Sequence, residues 1–320
     1  MTIVKKIITF KKFAKIRIDK FLKEEIFLNM EMTRGEIIRH IKSGNVLVNG
    51  EPVKPSHLLR EGDEIAINIP EKGMGLVPNE KVEFGIISQD ENIIAVNKPA
   101  GLQVHPSARN ETDTLVNGLL SKFPEIGQVG DAPEIRPGIV HRLDRGTSGV
   151  LAVARNQKTF LSLKKKFKDR EMKKIYWAVV YGVPEKTGII DAPLARAANY
   201  KKQIIAGEKT RTTVRAAVTE YATLAASEKY ALLEVSPKTG RTHQIRVHLA
   251  SIGHPIVGDE KYARKIFSDS RGAKRLMLHA GSLEFEMDGQ KYRFEAPVPA
   301  DFEEFLKNSG ISPRGLTKRG

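Results

Sequence analysis

Apolar and polar positions alternate near the start of the chain, with Ile7, Thr9 and Lys11 on one side and Ile8 and Phe10 on the other. A period of two predicts a strand, and the interleaved lysines suit a sheet edge. The rhythm then turns helical in "RIDKFLKEE" (17–25). It does so again in "MTRGEIIRHIKSG" (32–44), where Ile37, Ile38 and Ile41 share one face and Gly44 supplies a stop. From residue 45 to 70 short apolar runs are broken by turns: Asn49-Gly50 is a hairpin signal and Glu61-Gly62-Asp63 marks a second turn. This region predicts two short helices followed by a small twisted sheet.

"EKGMGLVPNEKV" reads as a linker. Beyond it, apolar runs predict strands in "NIIAVNKP", "GVLAVAR", "KIYWAVVYG", "VRAAVTEYATL", "YALLEVSP", "AGSLEFEM" and "KYRFEAP". Helical spacing marks "DTLVNGLLSKF", "QKTFLSLKKKFKD", "RTHQIRVHLASI" and "DFEEFLKN". The order is irregular, with strand-to-strand joins late in the chain. That predicts an α+β domain with a mixed, largely antiparallel sheet flanked by helices, not a doubly wound one. The expected division is an N-terminal strand or extension (1–15), a small domain (16–70), a linker (71–80), a large domain (81–308) and a loose tail (309–320).

Composition narrows the class. The 320 residues are 40% hydrophobic, enough for a real core, and carry a formal net charge of +15. A surplus this large points first to nucleic acid. There is no cysteine, which excludes disulfides, thiolate metal sites and cysteine nucleophiles together and fits a reducing cytoplasm. No apolar run approaches the roughly 20 residues of a membrane span. The basic start lacks the apolar core and cleavage site of a secretory signal.

Two stretches carry candidate chemistry. In "GIVHRLDRGTSGVLAVAR" (138–155) a single acid, Asp144, lies between Arg142 and Arg145, beside His141, and feeds a valine- and alanine-rich strand. Desolvation drives a carboxylate towards its neutral form, and a guanidinium drives it back. An enzyme that needs an ionised carboxylate as nucleophile or base uses both effects. The same residues also suit a loop fixed by ion pairing, and the local sequence leaves both readings open.

In "SPKTGRTHQIRVHLASIGHPIVGD" (236–259) a turn at Thr239-Gly240 leads into a helix with Ile245, Leu249 and Ile252 as its apolar stripe, closed by Gly253. Arg246 lies beside that stripe. A half-buried arginine requires a carboxylate, and Asp144 is its natural complement. His243 and His248 are five apart, about 140° around a helix, so they do not converge on a metal. His141, His254 and His279 read as structural hydrogen-bonders. No P-loop, nucleophile elbow or second glycosidase acid is evident. The run "KKKFKDREMKK" (164–174) suits a solvated helix face and equally a phosphate track.

"HRLDRGTSG" resembles the signature of the RluA family of pseudouridine synthases. "NKPAGLQVHP", "KIYWAVVYG", "TGRTHQIRVHLASIGHPIVGD" and "RLMLHAGSLEF" resemble its other blocks, in the same order. "RIDKFL", "TRGEIIRHIKSGNVLVNG" and "VKPSHLLREGDEI" are similar to the small αL RNA-binding domain of a small-subunit ribosomal protein. The resemblance implies a pseudouridine synthase fold behind an αL domain. It implies isomerisation of uridine in RNA, without cofactor or metal. Asp144 matches the catalytic aspartate, Arg246 its ion-pair partner and Tyr176 the tyrosine that stacks on the base. Arg142 resembles the arginine that fills the gap left by the everted base, and Leu278 an apolar residue of the base pocket. Lys98 matches a largely structural lysine, as His141 is expected to be. Arg34, Arg39 and Lys42 suit RNA phosphates. The expected substrate is large-subunit ribosomal RNA, with transfer RNA as runner-up, for a cytoplasmic monomer that avoids membranes. The rival readings are a catalytically silent RNA-binding or ribosome-assembly factor, and a base-removing glycosidase.

Overall fold

A computed structural model describes residues 3–11, 15–27, 34–70, 76–106, 111–197, 202–208, 210–263 and 273–312. The chain divides into two compact units, Met1–Gly75 and Leu76–Gly320.

In the first unit, β1 (Ile3–Thr9) is the edge strand that the alternation predicts. The strand β2 (Ile16–Arg17) leads into α1 (Ile18–Phe21), which continues as one π-helical turn, Leu22–Ile26. Next come α2 (Arg34–Lys42), β3 (Val46–Val48), β4 (Glu51–Pro52), β5 (Leu58–Leu59) and β6 (Glu64–Pro70). The sheet order is β1-β6-β3-β4, and β1 pairs with β6 along its whole length. The β3–β4 hairpin turns at Asn49 and Gly50, both at positive φ. Phe10, Phe21, Ile37, Ile41, Ile65 and Ile67 form the core, with Phe10 edge-on to Phe21 at 5.2 Å.

The second unit opens with β7 (Gly85–Gln89), β8 (Ile93–Lys98), α3 (Leu115–Lys122) and β9 (Ser148–Ala154). Then follow α4 (Gln157–Asp169), β10 (Lys173–Tyr181), β11 (Thr187–Asp191), β12 (Leu194–Arg196) and β13 (Gln203–Ile205). The chain closes with β14 (Val218–Ala226), β15 (Tyr230–Pro237), α5 (Gln244–Ser251), β16 (Leu278–Met287), β17 (Gln290–Glu295) and α6 (Ala300–Asn308). The main sheet runs β11-β14-β15-β10-β16-β9-β8-β7, with β17 also on β16. Its pairs are antiparallel except β16 with β9. This is the mixed, largely antiparallel α+β sheet that the element order predicts.

Every residue of β9 is buried, which is why its sequence is a continuous apolar run instead of an alternation. Gly149 makes the parallel seam possible. Its φ is +117°, and a Cβ there would stand 2.2 Å from the Ala280 carbonyl oxygen. Apolar packing separates into two clusters. One centres on Ile94, Leu151 and Phe285, the other on Val179, Leu232 and Phe302. Tyr176 packs against both.

Several expectations need adjustment. The strands β7, β11, β12 and β13 were not anticipated, and β14 starts four residues later than the apolar run suggests. Helix α5 starts at Gln244, with His243 in the left-handed region, and Ile252 is its partly exposed C-cap, not part of the buried stripe. Of the expected linker, 71–75 lies outside the described residues, while Leu76 packs on the core of the second unit. Of the expected tail, Ile311 is buried and 313–320 lies outside the described residues.

Candidate active site

Asp144 sits in the loop that feeds β9. That loop is clamped from beneath. Lys98, fully buried at the end of β8, donates through Nζ to the carbonyls of Pro99 and Leu102 at 2.8 Å and of Arg145 at 3.3 Å. The Arg145 carbonyl also accepts from the Gly101 N–H at 2.8 Å, and Arg145 Nε donates back to the Gly101 carbonyl at 2.9 Å. Burial pushes the Lys98 ammonium down to about 7; Asp144 opposes that shift and Arg275 adds to it. Lys98 therefore anchors the loop from below.

Arg246 projects from α5 and is 8% exposed, more buried than its sequence position suggests. Its Nη1 donates to Asp144 Oδ2 at 3.2 Å, across 102 residues of sequence. Its Nε and Nη2 donate to the two oxygens of Asp259 at 2.7 and 2.8 Å. Asp259 also accepts from the Lys261 and Tyr262 backbone N–H groups, so its own turn is fixed. Burial opposes the charge on Arg246, but its bonds to Asp259 and then the pull of Asp144 outweigh that and raise its pKa. The Tyr262 ring lies beneath the guanidinium at 5.1 Å.

Helix α5 is pinned through its first residue. Gln244 Nε2 donates to the Val218 carbonyl and to Thr219 Oγ1, while Gln244 Oε1 accepts from Thr239 Oγ1 at 2.6 Å. The preceding residue, His243, places Nε2 3.9 Å from Asp144 Oδ2, and Tyr262 Oη lies 2.7 Å from its Nδ1. Tyr262 Oη also accepts from the Gln203 N–H of β13. Burial lowers the His243 pKa despite the nearby Asp144. His243 thus sits between the Tyr262 hydroxyl and the Asp144 carboxylate.

Above these groups opens a cavity of about 530 Å³, walled by the loop before β9, the end of α4, β10, the loop after β15, α5 and the first residue of β16. Tyr176 and Leu278 line it, and Leu278 is buried. Burial, then the Asp144 charge, push the Tyr176 phenol up, so it stays neutral. Arg142 stands exposed at the wall with no hydrogen-bond partner among the described residues. Among the described residues lining the cavity, Asp144 is the one acid, against eight lysines and arginines.

The remaining candidates separate. His141 Nε2 accepts from the Ala152 N–H at 2.9 Å, and its ring stacks on Phe167 at 4.4 Å. Burial, with the Lys174 charge adding, pushes it down to about 3. His248 goes to Thr219 and Ala192 and does not converge with His243. The lysine run splits: Lys164 and Lys166 pair with Asp131 and Glu171, while Lys168, Arg170 and Lys174 face the cavity. In the first unit, Arg39 and Lys42 are exposed on α2, whereas Arg34 is turned onto buried Asp19 at 2.8 Å. Sequence reasoning assigned no role to Asp259, His243 or Tyr262. The one usable signal was Asp259, an isolated acid closing the "HPIVGD" block.

A cavity with one carboxylate among many cations marks a protein class suited to a polyanionic substrate. Known proteins agree. The family described as RNA pseudouridylate synthase matches residues 92–251, and the S4 domain matches residues 16–65. A protein of Aquifex aeolicus described as an uncharacterized RNA pseudouridine synthase is 42% identical over 265 residues, 82% of this chain and 81% of its own. The ribosomal large subunit pseudouridine synthase D of Xanthomonas campestris is 35% identical over 288 residues, 86% of this chain and 84% of its own. The solved human RNA pseudouridylate synthase domain containing 1 superposes with a TM-score of 0.59 at 26% identity, covering 75% of this chain and 93% of that one. The chain belongs to the RluA family of RNA pseudouridine synthases, with an N-terminal S4 domain. It is an isomerase that converts uridine in RNA to pseudouridine.

Proposed function

We propose that the chain isomerises specific uridines in large-subunit ribosomal RNA, with Asp144 as its catalytic group acting on an everted nucleotide. The observation that carries this is the lone cavity carboxylate, 3.2 Å from a guanidinium itself fixed by a second acid. The RNA class rests on the substrate in the name of the Xanthomonas relative.

The bond between N1 of uracil and C1′ of ribose must break, and C5 must then join C1′. Asp144 starts this either by attacking C1′ or by taking the proton from C2′. Both routes begin from the carboxylate anion, to which Arg246 Nη1 donates at 3.2 Å. The cleaved uracil has to turn without leaving. Tyr176 offers a flat apolar face for it, and Leu278 closes the pocket. Everting a base from a stacked RNA costs a few kcal/mol, of order 3. Arg142, exposed and without a hydrogen-bond partner among the described residues, offsets part of this by occupying the vacated place in the stack. The S4 domain adds a second RNA contact and raises the effective concentration of substrate at the catalytic unit.

Release of tritium from RNA labelled at uracil C5 tests the reading. Wild-type protein should release label from large-subunit RNA, and Asp144→Asn should abolish release while retaining RNA binding. Release from transfer RNA alone would overturn the RNA class. Full activity in Asp144→Asn would overturn the catalytic assignment. Free uracil among the products would favour a glycosidase.

A further inference from the structure

We propose that Lys174, backed by Lys238, is a binding site for one phosphodiester of the RNA backbone beside the everted uridine. The inference deepens the functional reading above and rests on it.

Lys174 and Tyr176 are two residues apart on β10, so their side chains leave the same face of the strand, and both line the cavity. Lys174 is only partly exposed, yet no carboxylate or carbonyl accepts from its ammonium among the described residues. A largely buried cation without a counter-ion is unfavourable, and the expected remedy is an anion brought by a ligand. Burial, and then the Lys238 charge, push the Lys174 ammonium down to about 8. Lys238 reaches the same wall from the loop after β15, held by Glu220 at 2.6 Å. The Lys238 charge adds its repulsion to the cost of burial until an anion lies beside Lys174.

The substrate supplies that anion, because every nucleotide carries a phosphodiester. A uridine whose base lies on Tyr176 brings a backbone phosphate to the wall from which Lys174 projects. Base and phosphate are then both read from β10, which the sheet hydrogen-bonds on both sides, to β15 and β16. The strand acts as a gauge for a nucleotide drawn out of the helix. A stacked nucleotide presents its phosphate without its base and satisfies only half of it.

Lys174→Met and Lys174→Arg test this against wild type. With labelled RNA as substrate, Lys174→Met should lower kcat/KM by about tenfold or more, mostly through KM. The slope of log binding constant against log salt should shrink by about 0.7 to 0.9, the share of one phosphate. Lys174→Arg should restore most of both. The asymmetric counterpart lies in the RNA: a neutral methylphosphonate flanking the target uridine should weaken binding to wild type but not weaken Lys174→Met further. That arm does not depend on how well the variant folds. A Lys174→Met protein with wild-type salt slope and KM, or additive losses with the methylphosphonate, would overturn the site. The RNA is whichever class wild type modifies, so a wrong RNA class shows as a change of substrate, and a wrong phosphate site as a null comparison on that substrate.

Discussion

Arg246 is locked to Asp259 before it meets Asp144: two of its guanidinium nitrogens lie 2.7 and 2.8 Å from the Asp259 oxygens, and only the remaining edge faces the cavity. Asp259, which has no exposed side chain, is thus a positioning residue for the pair proposed to be catalytic. Asp259→Asn should lower kcat by about a hundredfold, the scale of an ångström-sized misplacement. It should also cost roughly 3 kcal/mol of stability by leaving a buried charge half-partnered. Tritium release and urea unfolding read the two effects. A wild-type kcat would show that Arg246 needs no such anchor.

Tyr262 performs two tasks that substitution can separate. Its ring underlies Arg246 at 5.1 Å, and its hydroxyl joins His243 to the Gln203 N–H of β13. Tyr262→Phe keeps the ring and should lose about threefold to tenfold in kcat, one hydrogen bond's worth. Tyr262→Ala removes both contacts and should lose clearly more. Identical kcat values for the two variants would refute the division of labour.

Acid should destabilise the second unit through His279. The ring is fully buried, and burial pushes it down to about 4 from 6.5. Its Nδ1 lies 2.9 Å from Ser148 Oγ. The folded form stays neutral while the unfolded chain takes up a proton, so the stabilisation is complete above pH 6.5 and is lost as pH falls towards 4. The slope from this one group approaches about 1.4 kcal/mol per pH unit. Urea unfolding between pH 7 and 4.5, with the His279 ring resonances followed by NMR, measures it. A ring that protonates near 6.5 would refute the prediction.

The S4 domain should contribute binding and not turnover. Arg39 and Lys42 are exposed on α2, while Arg34 is engaged by Asp19. Arg39→Glu with Lys42→Glu should weaken binding to long ribosomal RNA by about tenfold or more and leave kcat on a short stem-loop intact. Arg34→Ala should instead lower the melting temperature, since Asp19 is fully buried and would lose a partner. Filter binding, turnover assays and thermal melts separate the two.

Buried structure was the part most legible in the sequence. The run from Gly149 to Arg155 predicts β9, one residue off at each end, because both faces of the strand are covered, and Gln157–Asp169 matches its helical spacing from end to end. The strands β7 and β11 escaped notice because they are short and largely exposed, with Ile189 at 70%. Solvent demands no periodicity there. The pairing of Asp144 with Arg246 followed from complementary needs: one acid among cations, one arginine beside an apolar stripe. Asp259 shows in the sequence only as an isolated acid closing its block; its partner is not legible, since it lies thirteen residues past Arg246 and beyond the helix, where no spacing rule connects them. The left-handed backbone at His243, φ 56°, likewise has no local signature, because a histidine at that position otherwise continues the helix.

The order of strands in the main sheet has a consequence for how this enzyme holds together. Asp144 and Tyr176 are encoded ahead of the turn at 182–186, and Arg246, Asp259 and Leu278 behind it. Yet β10 from the first part lies between β15 and β16 from the second, and β16 lies between β9 and β10. The two halves of the polypeptide are interlaced like the fingers of clasped hands. A molecule nicked in that turn should stay joined and working, while either piece made alone should be inert, which suits this scaffold to split-enzyme reconstitution.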